Sequence, residues 1–117
     1  YGWDNSNSEG DNDLNQLDFF LKNNEISKER YEIFDFDKDN FPTQNFDTLL
    51  SIYSLDFHYD FEIYSNYFKK VMKKESLLIF DTIRPKYFEN IFDHVEIVKE
   101  DFNTVHKSKR IACRGFK

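Results

Sequence analysis

Residues 46–81, FDTLLSIYSLDFHYDFEIYSNYFKKVMKKESLLIFD, decide the fold that this sequence predicts. An apolar run from Thr48 to Tyr53 is typical of a strand, and a second run from Leu77 to Phe80 ends at Asp81. The segment between them places apolar side chains on one helical face, namely Tyr64, Phe68, Val71 and Met72. Strand, helix and strand in this order predict a βαβ unit, in which the two strands run parallel.

Polar side chains follow each of these two strands. The stretch from Ser54 to Tyr59 comes after the first strand, and the stretch from Asp81 to Arg84 closes the second. In open α/β sheets, ligands lie beyond the carboxyl ends of the strands. We therefore expect both stretches on one rim of the sheet.

The remaining elements follow from the same pattern reading. In chain order they are a strand end at Tyr1 to Asp4, a helix from Leu14 to Leu21 stopped by Asn23 and Asn24, a strand over Tyr31 to Phe36, a short helix from Arg84 to Phe88, and strands over Val95 to Val98 and Lys109 to Arg114. The last two strands predict an antiparallel hairpin at one edge. Together these elements predict a mixed α/β fold with five strands and about three helices.

Composition limits the class of protein. The chain has 117 residues, 39% of them hydrophobic and 19% aromatic, which suits one small domain with a packed core. Its net charge of -6 argues against a general nucleic-acid binder, so no nucleic-acid partner is expected. No apolar stretch approaches the ~20 residues of a membrane-spanning helix, so no membrane partner is expected. Cys113 is the single cysteine, which favours a reducing compartment and a cytoplasmic location.

Several stretches together carry a resemblance to a known family: Gly2–Ser6, Phe34–Lys38, Phe46–Ser51, Lys70–Ile79, Phe88–Val98 and Lys109–Gly115. In order and spacing they resemble the second through seventh strands of a class I S-adenosylmethionine-dependent methyltransferase. The family's sheet has seven strands, six parallel and the last antiparallel. The resemblance covers nearly every residue. It implies a Rossmann-like mixed sheet, mostly parallel with a C-terminal antiparallel hairpin.

The resemblance implies a site for the adenosine part of the cofactor S-adenosylmethionine. Asp4 matches the acidic residue that accepts hydrogen bonds from both ribose hydroxyls, and Trp3 or Asn5 flanks the adenine or ribose. Asp4 could instead cap the following helix. Asp37 matches the acceptor for the adenine amino group, followed by the backbone N–H of Lys38.

Two alternatives stay open at the adenine position, since Asp35 also fits it and an acidic loop residue is often only a solvated charge. The stretch from Ser51 to Ser54, including Ser51 and Tyr53, matches the wall beside the methionine portion of the cofactor.

The polar rim supplies candidates for the acceptor site. His58 has the chemistry of a general base for a hydroxyl group, and Asp56 could orient its imidazole or act as the base itself. The bland interpretation of His58 is a half-buried histidine bonded to a backbone carbonyl. Tyr59 is expected in the substrate wall, and Arg84 could hold a carboxylate or phosphate of the acceptor or be a surface arginine. The sequence predicts no metal site.

The family's glycine-rich cofactor loop has no counterpart here. The chain has three glycines, Gly2, Gly10 and Gly115, and none are near one another. We therefore expect residues 1–117 to form a partial, N-terminally truncated methyltransferase domain that lacks the first strand. In that family the first strand lies beside the second and the fourth, so its loss predicts an incomplete sheet edge. The isolated chain is then expected to form a homodimer through that edge, to pair the second and fourth strands directly, or to be poorly soluble.

The functional expectation is methyl transfer to a hydroxyl of a polar small molecule, such as a sugar, as part of a longer chain. The alternative is a non-catalytic binding or regulatory protein built on a degenerate methyltransferase half. A third interpretation is a small α/β domain with an acidic surface and no ligand.

Overall fold

The structure is a computed structural model that describes residues 14–35, 38–100 and 107–117. The chain divides into two compact units, one ending at Pro42 and the other beginning at Thr43. Among the described residues, every strand lies in the second unit. The expectation of one partial methyltransferase domain over residues 1–117 stays a prediction.

The first unit contains helix α1, Leu14–Asn23, as the helical spacing of its apolar residues predicts. A Schellman-type turn ends the helix. The N–H of Glu25 donates to the carbonyl of Lys22 at 3.1 Å, and the N–H of Ile26 donates to the carbonyl of Leu21 at 3.0 Å. Glu25 takes the left-handed conformation of this turn, with φ at 61°.

The strand predicted over residues 31–36 is wrong for residues 31–35, which adopt no regular secondary structure. A 3₁₀ turn, Lys28–Arg30, precedes them. A strand needs a neighbour for its backbone hydrogen bonds, and the described residues of this unit contain no other strand. Tyr31 is fixed instead through its side chain, whose hydroxyl donates to Asp18 at 2.7 Å.

The second unit contains the sheet. Its elements are β1 Phe46–Ser51, α2 Phe61–Val71, β2 Met72–Thr82, α3 Pro85–Phe88, β3 Phe92–Glu100 and β4 Lys109–Phe116. The strands lie in the order β1-β2-β4-β3. Strands β1 and β2 are parallel neighbours, which confirms the βαβ unit. Strand β4 is antiparallel to both of its neighbours, β2 and β3, so the predicted hairpin at the sheet edge is confirmed.

The predicted α/β class and mixed sheet are therefore confirmed, with corrections to the strand number and pairing. Four strands form in the described residues instead of five. The strand end expected at Tyr1 to Asp4 lies outside those residues. One of the three strand pairings is parallel and two are antiparallel, so the expectation of mostly parallel pairing is wrong. Strands β1, β2 and β3 nevertheless run in one direction.

Helix α2 covers one face of the sheet with its aromatic side. Phe61, Phe68 and Val71 are its buried residues. The ring of Phe61 stacks on Phe80 of β2 at 5.8 Å and meets Phe88 of α3 edge-on at 4.9 Å. Burying each such side chain contributes roughly 1.5–3 kcal/mol. This aromatic cluster fixes α2 against β2, and with it the segment that joins β1 to α2.

Because β1 and β2 run parallel, their carboxyl ends lie on the same rim. Strand β1 ends at Ser51 and β2 ends at Thr82. Residues 52–60, which we call the rim loop, leave β1 at this rim, and α3 follows β2 from it. The predicted position of both polar stretches is thus confirmed.

Candidate functional site

The rim loop has a fixed internal geometry. Its Leu55 N–H donates to the side-chain oxygen of Ser51 at 3.0 Å, and its Asp56 N–H donates to the carbonyl of Tyr59 at 2.7 Å. Tyr53 and Asp56 both adopt left-handed backbone conformations, with φ at 52° and 65°. Such conformations cost a residue other than glycine about 1–3 kcal/mol, so the contacts of the loop must offset that strain.

The carboxylate of Asp56 is the centre of those contacts. It accepts hydrogen bonds from Nε of Arg84 at 3.1 and 3.2 Å and from Nη2 of the same guanidinium. The hydroxyl of Thr82 donates to the second oxygen at 2.7 Å. The Asp56 side chain is 3% exposed and that of Arg84 is 39% exposed. One side of the guanidinium is thus held by a buried carboxylate, while the rest of the group reaches solvent.

Arg84 also contacts the start of α2. Its Nη2 lies 3.3 Å from Oε1 of Glu62, and the hydroxyl of Tyr87 donates to the same oxygen at 2.6 Å. The guanidinium carbon lies 4.2 Å from the centre of the Tyr87 ring. The hydrogen bond from Tyr87, with a smaller contribution from Arg84, lowers the pKa of Glu62. Hydrogen bonds to Asp56 raise the pKa of Arg84, so its positive charge is permanent.

A second buried ion pair holds the start of the rim loop. Asp81 accepts the backbone N–H of Tyr53 at 2.9 Å. Arg110 of β4 donates to both oxygens of the same carboxylate, at 2.9 and 3.2 Å. Beside this pair lies a cleft of about 10 Å³, lined by Tyr53, Asp81, Lys99, Ser108 and Arg110, which is room for roughly one water molecule. The loop is therefore bonded to β2 at Asp81 and at Thr82, and Arg110 of β4 holds Asp81 in place.

The two predicted catalytic residues lie on the rim loop, but the structure does not join them. His58 is exposed, and its imidazole has no hydrogen bond to Asp56 or to any other residue of the described part of the chain. Both oxygens of Asp56 already accept from Arg84 and Thr82. The contact through which Asp56 would orient His58 is thus not formed.

The predicted wall residues also lie at this rim. The side-chain oxygen of Ser51 accepts the Leu55 N–H, as described above. The ring of Tyr53 meets Phe57 edge-on at 6.2 Å, and that of Tyr59 meets Tyr64 edge-on at 6.0 Å. Arg84 was predicted to bind the acceptor, and the structure brings it into direct contact with Asp56.

The adenosine site is largely outside the described residues. This holds for Trp3, Asp4, Asn5 and Asp37. Lys38 is described, in the first unit, where its amine lies 3.5 Å from the carboxylate of Asp35 and its backbone N–H donates to the Asp35 carbonyl at 3.2 Å. The proposed roles of all five residues stay predictions.

Three residues of the rim network were missed by sequence reasoning: Glu62, Tyr87 and Arg110. From the sequence alone, Glu62 in the first turn of a helix is interpreted as a charge that complements the helix dipole. Its contact with Tyr87 joins residues 25 positions apart, and the Asp81–Arg110 contact joins residues 29 positions apart. The sequence carries no local signal for such contacts, which the sheet order creates.

The described residues offer no group of three or more His, Cys, Asp or Glu side chains that could hold a metal ion. Over the same ranges, no helix has the length and apolar character needed to cross a membrane. Comparisons with family models, with curated proteins and with solved structures find no match to this chain.

Proposed function

We propose that this chain takes part in S-adenosylmethionine-dependent methyl transfer to a hydroxyl of a polar small molecule, such as a sugar, as part of a longer chain. The observation that carries the proposal is the rim, where polar side chains after β1 and β2 lie together at the carboxyl ends of two parallel strands. Ligands of open α/β sheets bind at this end.

The direction of the strands supports the same proposal. The resemblance implies a sheet whose strands are parallel except for the last one. In the second unit β1, β2 and β3 run in one direction, and β4, which comes latest in sequence, runs opposite to them. The Rossmann-like organisation and the missing first strand with its glycine-rich loop remain part of the proposal.

The described residues that fit the cofactor are at the end of β1. The oxygen of the Ser51 hydroxyl accepts the Leu55 N–H, so the O–H of Ser51 is left to donate to the methionyl end of the cofactor. Tyr53 is half exposed beside it and would contribute wall. When bound, the cofactor supplies a methyl group on a sulfonium. The chain's own part is to position the acceptor and remove its proton.

In this proposal His58 accepts the proton of the acceptor hydroxyl. It is an exposed imidazole on the rim loop, and a histidine base works near neutral pH. Tyr59 and Arg84 would bind the acceptor beside it. Asp56 serves by holding Arg84, because its oxygens are engaged there.

The test compares two histidine variants in a chain extended by the residues encoded directly upstream of Tyr1. Titration calorimetry with S-adenosylmethionine and a methyl-transfer assay on a panel of sugars are the measurements. We expect His58→Gln to lower transfer by about 10²-fold or more without changing cofactor affinity. His94→Gln, an exposed histidine of β3, is the matched control and should change neither. Failure of the extended chain to bind the cofactor would overturn the proposal.

One observation favours the alternative, a non-catalytic binding or regulatory protein on a degenerate methyltransferase half. His58 has no carboxylate partner in the described residues, and the buried Asp56 is already paired. In that case the extended chain binds S-adenosylmethionine, yet no acceptor is methylated and His58→Gln has no effect.

We further propose a cytoplasmic location and, for residues 1–117 without a first strand beside β1, a homodimer formed through the outer edge of β1. Cys113 is the single cysteine, and it is a buried free thiol, which suits a reducing compartment. Strand β1 is at one end of the sheet within the described ranges, and its Leu50 is exposed. Unpaired strand edges of this kind favour association with another chain.

A further inference from the structure

Two hydrogen-bond donors on the rim converge on one oxygen atom. The hydroxyl of Tyr87 lies 2.6 Å from Oε1 of Glu62, and Nη2 of Arg84 lies 3.3 Å from the same atom. The Glu62 side chain is 50% exposed, and contacts between such exposed charges contribute little to stability. Two donors thus define a position for an oxygen atom, and the Glu62 carboxylate that now occupies this position is only weakly held.

Both donor residues have further contacts that do not involve Glu62. Asp56 holds the guanidinium of Arg84 from the buried side through Nε and Nη2. The ring of Tyr87 lies against the guanidinium at 4.2 Å. Nη1 of Arg84 makes no hydrogen bond to any residue that the structure describes, so it adds further donors at this position. Donors that are fixed in advance bind an anionic oxygen at lower entropic cost.

We propose that Arg84 and Tyr87 form a binding site for an anionic oxygen of a ligand, a carboxylate or a phosphate, and that Glu62 fills this site when the ligand is absent. Arginine and a hydroxyl are suited to this chemistry, because charge-assisted hydrogen bonds to a carboxylate or phosphate are stronger than neutral ones. The inference rests on the proposed function in one respect: it gives the methyl acceptor an anionic group next to its hydroxyl.

The electrostatics make Glu62 a competitor. With Glu62 in place, the guanidinium faces two carboxylates, Asp56 and Glu62. An incoming anion must displace the Glu62 carboxylate, which is tethered nearby and repels it. Removing that carboxylate should therefore strengthen anion binding. This is the opposite of what the loss of a merely structural contact would do.

The test is an NMR titration of the full chain, following the Arg84 Nε–Hε signal, with inorganic phosphate in one arm and acetate in the other. We expect Glu62→Ala to tighten binding of one or both probes by about three- to tenfold, the equivalent of one hydrogen bond. Glu62→Gln, which keeps an oxygen but no charge, should give a smaller gain. The arm with the larger gain identifies phosphate or carboxylate as the preferred group.

Tyr87→Phe in the Glu62→Ala background removes one donor atom only, and should reverse most of the gain. Asp47→Asn is the matched control, because Asp47 also forms an exposed ion pair, with Lys73, at the opposite end of β1. It should leave the affinity unchanged. Equal affinities of wild type and Glu62→Ala, or a gain that survives Tyr87→Phe, would overturn the proposal. Since no cofactor is added, these results are independent of whether the chain methylates anything.

Discussion

Two aspartates of the second unit show how burial decides what an ion pair contributes. Asp56 is buried and accepts from Arg84 and Thr82, whereas the Asp47 side chain is 90% exposed beside Lys73. We expect Asp56→Asn to lower the free energy of unfolding by about 2–3 kcal/mol. The substitution leaves donors unpaired at a buried position, and it removes contacts that offset the backbone strain of the rim loop. Urea denaturation measures this loss.

Asp47→Asn is the control for that experiment. The exposed pair of Asp47 is screened by solvent, so its loss should leave the denaturation midpoint unchanged. A similar loss in both variants would mean that the Asp56 pair does not hold the rim loop. Such a result would also remove the support for Arg84 as a positioned donor.

The thiol of Cys113 links stability to alkaline pH. Burial raises its pKa from 9.0 to about 12, so the native state keeps the neutral thiol where the unfolded state loses the proton. The stability that this provides is complete below 9.0 and is lost as the pH rises from 9.0 towards about 12. In that window, the free energy of unfolding of wild type should fall more steeply than that of Cys113→Ala, by about 1.4 kcal/mol per pH unit.

Denaturant unfolding of both proteins at several alkaline pH values measures the two slopes. Other groups titrate equally in both proteins, so only the difference in slope is informative. Parallel slopes would indicate that the Cys113 thiol reaches solvent in the native state. Rapid labelling of the native protein by a thiol reagent would then accompany them.

At the scale of single residues, the sequence predicts which residues lie on the rim but does not predict their contacts. Asp56 and Arg84 were both expected there, because each follows a strand of the βαβ unit. Their mutual ion pair joins residues 28 positions apart, and it engages the Asp56 carboxylate that the sequence suggested would orient His58. Distance along the chain carries no information about which polar group meets which.

Helix α2 provides a prediction at the scale of an element. Phe61 faces the aromatic cluster and is buried, while Ile63, two positions later, is exposed. We expect Phe61→Ala to cost about 3–5 kcal/mol, since it opens a cavity between α2, β2 and α3. Ile63→Ala should change stability by less than about 0.5 kcal/mol. Thermal or urea unfolding of the pair checks the orientation of the helix, and equal losses would contradict it.

A periodic apolar pattern predicted α1, α2 and β4 correctly. Strand β2 begins earlier than its apolar run, at Met72, because the Ser76 hydroxyl donates to the carbonyl of Phe46 at 2.6 Å and so joins the charged start of β2 to β1. The pattern over residues 31–35 alternates as in a strand, yet forms none. Alternation shows that a segment suits an extended conformation, but the segment becomes a β-strand only when a neighbouring strand pairs with it.

At the scale of the whole molecule, the two edge strands of the described sheet, β1 and β3, differ. Strand β1 carries the exposed Leu50. In its pairing with β4, strand β3 has an extra residue between Ile97 and Lys99, whereas the shift in the β1–β2 pairing, between Phe46 and Thr48, places the extra residues in β2. A bulge in an edge strand protects that edge from pairing. We expect the protein to associate through β1, so Leu50→Lys should abolish concentration-dependent sedimentation. Ile97→Lys, which alters an exposed residue of the other edge, should not.

Sedimentation velocity over a range of concentrations makes this measurement. Adding the upstream residues should raise the melting temperature, because the proposal places a further strand beside β1. A wild-type monomer at every concentration, with one cooperative transition that the added residues leave unchanged, would show that the β1 edge needs no partner.

The place of β4 between β2 and β3 also sets an order of events during synthesis. Strand β3 leaves the ribosome before the only strand with which it pairs in the described sheet, and β2 meanwhile has one side open. A nascent chain that stops before Lys109 holds three strands running in the same direction, of which two can pair. We expect it to occupy chaperones and to be degraded until β4 arrives. Quality control of this protein therefore depends on a segment that is translated after most of its core.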